Sequence, residues 1–160
     1  KNYRFEMKKF SLDLNAIKEY QQNRYPYLMI DYADEILPGK FANGYKTLNE
    51  DEWFFKVHWP NDPNMPGMLQ IESLVQMSAL SILTLPNNKG KIMYLIAANK
   101  MKFIKKVLPN SKFYIKTNVK SYKRGIAIME GSGYIDDKLV CKAEFSLILP
   151  DEIKKYSINL

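Results

Sequence analysis

The 160-residue chain is poor in cysteine and histidine, and each shortage excludes a class of protein. Its single cysteine, Cys141, excludes a disulfide framework within the chain and predicts a reducing compartment, which we take to be the cytoplasm. Cys141 lies in an alternating apolar run, so we expect a buried structural thiol and not a nucleophile. The single histidine, His58, leaves no cluster with metal-ligand spacing, so we predict no bound metal and no resident cofactor.

Long apolar runs are also missing, and residues 1–6 do not have the apolar core expected of a signal peptide. The longest apolar stretch, residues 65–85, is interrupted by polar side chains, among them Gln70 and Glu72, so we expect no membrane insertion. The net charge of +7 attracts anions, but only this charge favours nucleic acid, which we do not expect as a partner. We predict one domain over residues 1–160, in which residues 1–10 either belong to the domain or form an extra N-terminal segment.

Apolar periodicity predicts two helices. Residues 11–20 form a short amphipathic pattern, with Asp13 or Ser11 as its cap. A second helix begins at Pro66 and Gly67 and continues to about Thr84. It is apolar in nearly every direction, so other structure must wrap it.

Alternation predicts the strands of an antiparallel sheet. We expect an extended segment or strand at residues 25–31 and a polar turn at 49–52. The further predicted strands are residues 41–48, 92–98, 100–107, 112–122, 126–135 and 139–149. The pattern indicates an α+β fold in which a curled antiparallel sheet surrounds one long helix.

One segment combines residues suited to acid–base chemistry. His58 opens a proline-rich loop, and Glu72 follows fourteen residues later inside the long apolar helix. No lysine or arginine occurs between Lys56 and Lys89, so Glu72 lacks a local cation, and a buried unpaired carboxyl needs a functional reason. Burial raises the pKa of such a carboxyl and suits it to be an acid, whereas an imidazole suits the role of base.

Two neighbours of Glu72 fit the same chemistry. Gln76 is four residues further along the helix, on the same face, where it can orient the Glu72 carboxyl. Gly67, at the helix start, offers a free backbone N–H that can bind a carbonyl oxygen as enolate charge develops.

Over residues 12–150 the chain resembles the FabZ type of 3-hydroxyacyl-(acyl carrier protein) dehydratase. The motifs that carry the resemblance are Tyr25-Pro26-Tyr27-Leu28-Met29-Ile30-Asp31, Pro38-Gly39-Lys40, His58-x-Pro60-x-x-Pro63-x-Met65-Pro66-Gly67-x-Leu69-x-x-Glu72-x-x-x-Gln76 and Asn99-Lys100-x-Lys102-Phe103. The resemblance implies the hot-dog fold. It also implies dehydration of (3R)-3-hydroxyacyl thioesters to trans-2-enoyl products in fatty-acid or related acyl synthesis, with the substrate on the phosphopantetheine arm of acyl carrier protein.

The resemblance further implies roles for particular residues. His58 would be the base and Glu72 the acid, and the backbone carbonyl of Asn64 would hold the other ring nitrogen of His58. The histidine and the glutamate would meet across the interface of a homodimer, and three dimers would form a hexamer.

An acyl tunnel and a docking surface complete the expected site. The tunnel would be lined by Met65, Leu69, Ile96 and Ala97, although each could equally be plain core. The acyl carrier protein would dock on Lys100, Lys102, Lys105 and Lys106.

Two alternatives to a dehydratase stay open. A hot-dog thioesterase also uses a helix carboxylate, but it does not need His58 in this loop. A non-catalytic protein that binds acyl chains or partners is favoured by Trp59 and Asn61, where the family usually has Phe and Gly.

Overall fold

Seven strands and one long helix make up most of the computed structural model, which describes residues 7–156. The elements in chain order are β1 (Phe10–Leu12), α1 (Leu14–Tyr20), β2 (Tyr32–Leu37), β3 (Phe41–Leu48), α2 (Trp53–Val57), α3 (Gly67–Leu83), β4 (Tyr94–Phe103), β5 (Ser111–Lys123), β6 (Ile126–Ile135), β7 (Lys138–Ile148), α4 (Pro150–Ile153) and a 3-10 turn (Lys154–Tyr156). Residues 1–6 of the predicted N-terminal segment lie outside the described residues.

The strands form one antiparallel sheet in the order β1-β2-β3-β5-β6-β7-β4. Tight turns join β5 to β6 and β6 to β7, as the sequence predicts. Arg124 and Gly125 adopt positive φ angles of 52° and 81°, and Asp136 and Asp137 adopt 48° and 62°. Two successive residues with positive φ are typical of the hairpin turn whose twist matches the flanking strands.

Helix α3 packs against the inner face of this sheet, where it contacts β3, β5, β6 and β7. Thirteen of its seventeen residues are buried. The helix approaches closely at Gly131 of β6, where an added Cβ would lie 3.1 Å from Cβ of Leu74. The predicted α+β arrangement, with a long helix against an antiparallel sheet, is confirmed.

Two local predictions were wrong, and one short helix was not predicted. The strands predicted at 92–98 and 100–107 are one strand, β4, and the expected break is a register shift between Asn99 and Lys102, where Lys100 has a φ of 51°. Residues 25–31 form a turn and a coil segment and not the strand given as one alternative, and residues 53–57 form helix α2, for which no prediction was made. The first helix starts only after Asp13, whose Oδ1 accepts a 2.8 Å bond from the N–H of Ala16, because residues 10–12 pair with β2.

Strand β4 ends the sheet and carries large apolar side chains in solvent. Along β4 and just after it the exposed ones are Tyr94, Leu95, Ile96, Met101, Phe103 and Ile104. An edge strand with this composition is uncommon in proteins that remain monomers. Among residues 7–156, no helix is long and apolar enough to cross a membrane.

Candidate active site

His58 lies at the C-terminal end of α2, half-buried, at the start of the proline-rich loop. Its backbone N–H donates a 2.9 Å hydrogen bond to the carbonyl of Phe54, which caps the last turn of α2. Its ring nitrogen Nδ1 lies 2.9 Å from the backbone oxygen of Asn64. The loop therefore folds back on itself and fixes the imidazole from both its backbone and its ring.

The Asn64 contact sets the hydrogen positions of the His58 ring. A carbonyl oxygen can only accept a hydrogen bond, so Nδ1 must carry the hydrogen. In the neutral imidazole, Nε2 then holds the lone pair and is free to take a proton. The indole of Trp59 stacks on the same ring with a centroid distance of 4.1 Å.

The loop is held against the segment before β5. The Oδ1 atom of Asn64 accepts a 3.0 Å bond from the N–H of Val107, and the N–H of Met65 donates a 2.8 Å bond to the carbonyl of Val107. Lys106 contacts both carboxylate oxygens of Asp62 at 2.8 and 2.7 Å. These bonds fix the carbonyl that orients His58.

Glu72 lies half-buried on α3. Burial raises the pKa of its carboxyl, and a hydrogen bond from Gln76 opposes that rise. In the part of the chain that the structure describes, no lysine, arginine or histidine forms an ion pair with Glu72. A raised carboxyl pKa keeps the proton available to higher pH, as a general acid requires.

Gln76 fixes Glu72 to the segment after α1. Its Nε2 donates to Oε1 of Glu72 at 2.9 Å and to the carbonyl of Tyr27 at 2.8 Å, and its Oε1 accepts a 2.8 Å bond from the N–H of Met29. Burial raises the pKa of the Tyr27 phenol, and the charge of Glu72 raises it further. The backbone groups of Tyr27 and Met29 that bond to Gln76 therefore cannot pair with a neighbouring strand.

A cavity of about 220 Å³ opens beside Glu72. Its lining residues are Gln21, Gln22, Asn23, Glu72, Val75, Gln76, Ala79, Leu83, Lys91, Ile92, Met93, Tyr94, Leu95 and Leu147. Sequence reasoning missed Val75, Ala79 and Leu83, although they follow Glu72 at spacings of three, seven and eleven residues, which place them on one helix face. The buried Nε2 of Gln21 has no hydrogen-bond partner among the described residues.

Gly67 borders a second cavity, of about 380 Å³, with Asn64, Gln70, Phe103, Ile104, Lys105 and Lys106. As the first residue of α3, it has a backbone N–H with no carbonyl one turn earlier in the helix. An added Cβ would lie 2.7 Å from the Phe103 ring, so any larger residue would displace that ring.

Comparison with known proteins identifies the family. A FabA-like domain model matches residues 22–144. The 3-hydroxyacyl-[acyl-carrier-protein] dehydratase FabZ of Clostridium botulinum (strain Loch Maree / Type A3) is 39% identical over 143 residues, which cover 89% of this chain and 99% of that protein. FabZ of Natranaerobius thermophilus is 36% identical over 140 residues, with coverages of 88% and 99%.

The chain is a FabZ-type member of the FabA-like family.

Solved structures place this family member in the hot-dog fold, as the sequence predicts. The dehydratase heterocomplex ApeI:P from Xenorhabdus doucetiae has a TM-score of 0.71 at 12% identity, covering 88% of this chain and 95% of that one. A hypothetical thioesterase with coenzyme A from Streptococcus pneumoniae TIGR4 has a TM-score of 0.56 at 15% identity, covering 71% and 80%.

A single FabZ-type chain does not bring all predicted site residues together. Within residues 7–156, no hydrogen bond or ion pair joins His58 to Glu72, and His58 does not line the Glu72 cavity. None of the four predicted tunnel residues lines that cavity either. Met65 is fully buried in the core, Leu69 is half-buried, and Ile96 and Ala97 are exposed on β4.

The four predicted docking lysines fall into two groups. Lys105 and Lys106 line the cavity beside Gly67, whereas Lys100 and Lys102 line a groove of about 510 Å³ on the outer face of the sheet. Lys100 lies 3.4 Å from Glu144 and Lys106 lies 2.7 Å from Asp62. Among the described residues, no group of three or more His, Cys, Asp or Glu is placed to hold a metal ion.

Proposed function

We propose that this FabZ-type chain dehydrates (3R)-3-hydroxyacyl thioesters of acyl carrier protein to trans-2-enoyl thioesters in fatty-acid biosynthesis. The activity is that named for its relatives. The observation that carries the proposal is Glu72, a half-buried carboxyl with a raised pKa, a fixed orientation and a cavity beside it. A half-buried acid without a cation partner suits proton donation to a leaving hydroxyl.

The residues divide the reaction into three tasks. Nε2 of His58 takes the proton from C2, and the released electron pair moves toward the thioester carbonyl. The N–H of Gly67 binds that carbonyl oxygen as negative charge develops on it. Glu72 then gives its proton to the C3 hydroxyl, which leaves as water while the C2–C3 double bond forms. Transfer of the proton from His58 back to Glu72 restores both groups.

The complete site in this proposal is made by two chains. The free edge of β4 and its exposed apolar side chains support a homodimer, because pairing with a second copy would bury both. Glu72 of one chain would then meet His58 of the other. A hexamer of three dimers is supported by the family resemblance alone.

Mixing two inactive variants tests the shared site. His58→Ala and Glu72→Gln should each be inactive, but refolding an equal mixture should restore about a quarter of wild-type activity. Half of the dimers are then mixed, and each mixed dimer has one intact site. A mixture that stays inactive, although mixed dimers form, would refute a site shared between chains.

In this proposal, the acyl chain of the substrate lies along the face of α3 that carries Val75, Ala79 and Leu83. The cavity beside Glu72 and its apolar lining support this course. Ile96 and Ala97 of β4 belong to the tunnel only once a second chain covers them, and Met65 and Leu69 support it from the core side. The substrate arrives on the phosphopantetheine arm, so no resident cofactor takes part.

Acyl carrier protein docks on Lys105 and Lys106 in this proposal, with Lys100 and Lys102 further along β4. Their exposure and positive charge support contact with an acidic protein. Lys105→Glu should raise KM for carrier-bound substrate much more than KM for a small thioester mimic. An equal rise for both substrates would remove Lys105 from the docking surface.

Hydration of a crotonyl thioester, followed by loss of enoyl absorbance, tests the activity itself. Wild type should be active, and His58→Ala and Glu72→Gln should lose about 10² to 10⁴-fold in kcat with the fold intact. Release of free acid would instead favour a thioesterase. A folded wild type without activity on any chain length would favour a non-catalytic binding protein. The proposed cytoplasmic location rests on the single, buried thiol of Cys141 and is tested by cell fractionation.

A further inference from the structure

The outer face of the sheet carries a row of like charges. Lys116 of β5 pairs in register with Ser132 of β6, Ser132 pairs with Lys142 of β7, and Lys142 pairs with Lys102 of β4. Neighbouring strands lie about 4.8 Å apart, so the four side chains cross four strands in one line. We call Lys116, Ser132, Lys142 and Lys102 the lysine row. Lys142 and Lys102 are direct cross-strand neighbours of the same charge, which destabilises a sheet.

The lysine row lacks compensating charge. In residues 7–156, none of its three ammonium groups forms an ion pair with a carboxylate, and the hydroxyl of Ser132 makes no hydrogen bond. The nearby carboxylate Glu144 is already held by Lys120 at 2.9 Å and Lys100 at 3.4 Å. These two lysines hold the pKa of Glu144 below its ordinary value, so it stays ionised and paired. Lys116 also lies over the ring of Tyr134, 5.2 Å from its centroid, a contact that does not neutralise its charge. The row therefore presents three cations and one free hydroxyl to a ligand.

The shape above the lysine row is concave. All four of its side chains line the groove of about 510 Å³, and Thr117, Gly131 and Ala143 form its floor. This volume is in the range of small-molecule sites. Because Gly131 faces Leu74 of α3, the groove lies on the opposite face of the sheet from the helix that carries Glu72. It is therefore a place separate from the proposed dehydration site.

The charges around the groove favour a compact anion over an acidic protein. Two residue pairs away from the lysine row, on the same face of the sheet, Glu130 and Glu144 lie directly opposite each other, and both line the groove. Their carboxylates would repel the broad acidic surface of a carrier protein. A small ligand with adjacent phosphate groups can bind the three ammonium groups and the Ser132 hydroxyl without meeting those carboxylates.

We propose that the lysine row binds the diphosphate group of a small molecule, at a site separate from the dehydration site. A diphosphate spans neighbouring strands and supplies the negative charge that Lys102, Lys116 and Lys142 lack. Its binding would also remove the repulsion between Lys102 and Lys142. The site does not depend on the proposed function, because it includes neither His58 nor Glu72 and shares only Lys102 with the proposed carrier-docking surface.

Calorimetric titration of the whole protein with inorganic pyrophosphate and with ADP tests this site, at an ionic strength of about 0.15 M. Both should bind in a saturable way, and Lys116→Gln and Lys142→Gln should each weaken binding about tenfold. Lys138→Gln is the matched control, because it removes the same charge from an exposed position at the β6–β7 turn. Equal affinities assign the site to the diphosphate alone, and tighter ADP binding adds a nucleoside contact.

Thermal unfolding without ligand gives a second measurement. Lys142→Gln should leave Tm unchanged or raise it, because it relieves repulsion, and a given concentration of pyrophosphate should raise Tm of wild type more than Tm of this variant. Three results would overturn the proposal. One is no saturable binding, and another is equal weakening by Lys138→Gln. The third is a higher KM for carrier-bound substrate in Lys116→Gln and Lys142→Gln with pyrophosphate binding unchanged, which would make the groove a protein-docking surface.

Discussion

The side-chain amide of Gln76 donates a 2.9 Å hydrogen bond to the carboxyl of Glu72 while its oxygen accepts a bond from the backbone of Met29. Because a backbone N–H can only donate, this second bond fixes which end of the amide faces Glu72. The amide NH₂ group must therefore point at the carboxyl. The orientation of the proposed acid is therefore set, through Gln76, by the segment between α1 and β2.

Gln76→Leu should shift the pH profile of the reaction. The Gln76 hydrogen bond lowers the pKa of Glu72, so its loss should raise that pKa and move the alkaline fall of kcat/KM to higher pH. The variant should also lose about 2 kcal/mol or more of stability, because the N–H of Met29 becomes an unpartnered buried donor. Rate–pH profiles and urea unfolding measure the two effects.

Gln70→Leu is the matched control for this prediction. Gln70 is also a buried glutamine of α3, but its amide donates to the carbonyl of Met65 and does not contact Glu72. Gln70→Leu should lower the stability of the protein without moving the alkaline fall of kcat/KM. A shift of similar size in both variants would contradict the role given to Gln76.

Glu72→Gln should abolish activity and raise the stability of the protein at alkaline pH. Since burial raises the pKa of Glu72 in the folded state, the folded protein holds this proton to higher pH than the unfolded chain does. The contribution of protonated Glu72 to the stability of the folded state is complete below the ordinary carboxyl pKa. It is lost as pH rises through the raised pKa. The variant should therefore be inactive yet melt higher than wild type at about pH 8, with little difference at about pH 4. A lower Tm at pH 8 would mean that ionised Glu72 is structural.

Asn64→Ala should lower kcat with little change in KM. The substitution keeps the carbonyl that contacts His58 but removes the bond from Val107 that holds it in place. A loop free to shift by about 1 Å loses roughly 10²-fold in rate, because the base no longer meets C2 in line. Steady-state kinetics measure this loss. Asn61→Ala, an exposed change in the same loop, should cause no comparable loss of kcat.

Lys46→Met should destabilise the protein strongly. The Lys46 side chain is buried on β3, 3.2 Å from Glu52 and 3.9 Å from Asp31. Because Glu52 precedes α2, the pair fixes the helix that ends at His58. Removal of one partner from a buried ion pair costs about 3 kcal/mol or more.

Lys9→Met is the control for this ion pair. Lys9 contacts Glu35 at the surface, with both side chains well exposed, so its loss should cost less than about 1 kcal/mol. Denaturant unfolding of the two variants gives the comparison. Equal losses would show that burial does not strengthen the Lys46 contacts.

Periodicity predicted the parts of the fold whose burial is regular. Helix α3 and strands β5 to β7 repeat an apolar pattern over ten or more residues, and they lie where it indicates. It failed where tertiary contacts decide the local structure. Helix α2 has five residues, too few for a periodic signal, and within residues 25–31 the backbone groups of Tyr27 and Met29 bond to Gln76 and not to a neighbouring strand.

The candidate site was predictable residue by residue but not as an assembly. The contacts of Asn64 with His58 and of Gln76 with Glu72 occur as expected, because each follows from short spacing in a loop or a helix. The tunnel residues and the docking lysines were harder to place. Their positions depend on how β4 lies at the edge of the sheet, and no local pattern in the sequence encodes that.

The stacking of Trp59 on His58 provides a spectroscopic probe within the proposed site. A protonated imidazole quenches indole emission more than a neutral one, so the fluorescence of Trp59 should report the ionisation of His58 directly. The other tryptophan, Trp53, is the first residue of α2, and its ring N–H donates a hydrogen bond to the carbonyl of Pro26. Trp53→Phe would leave one emitting indole, and the single histidine of the chain could then be titrated optically, with or without bound acyl thioester.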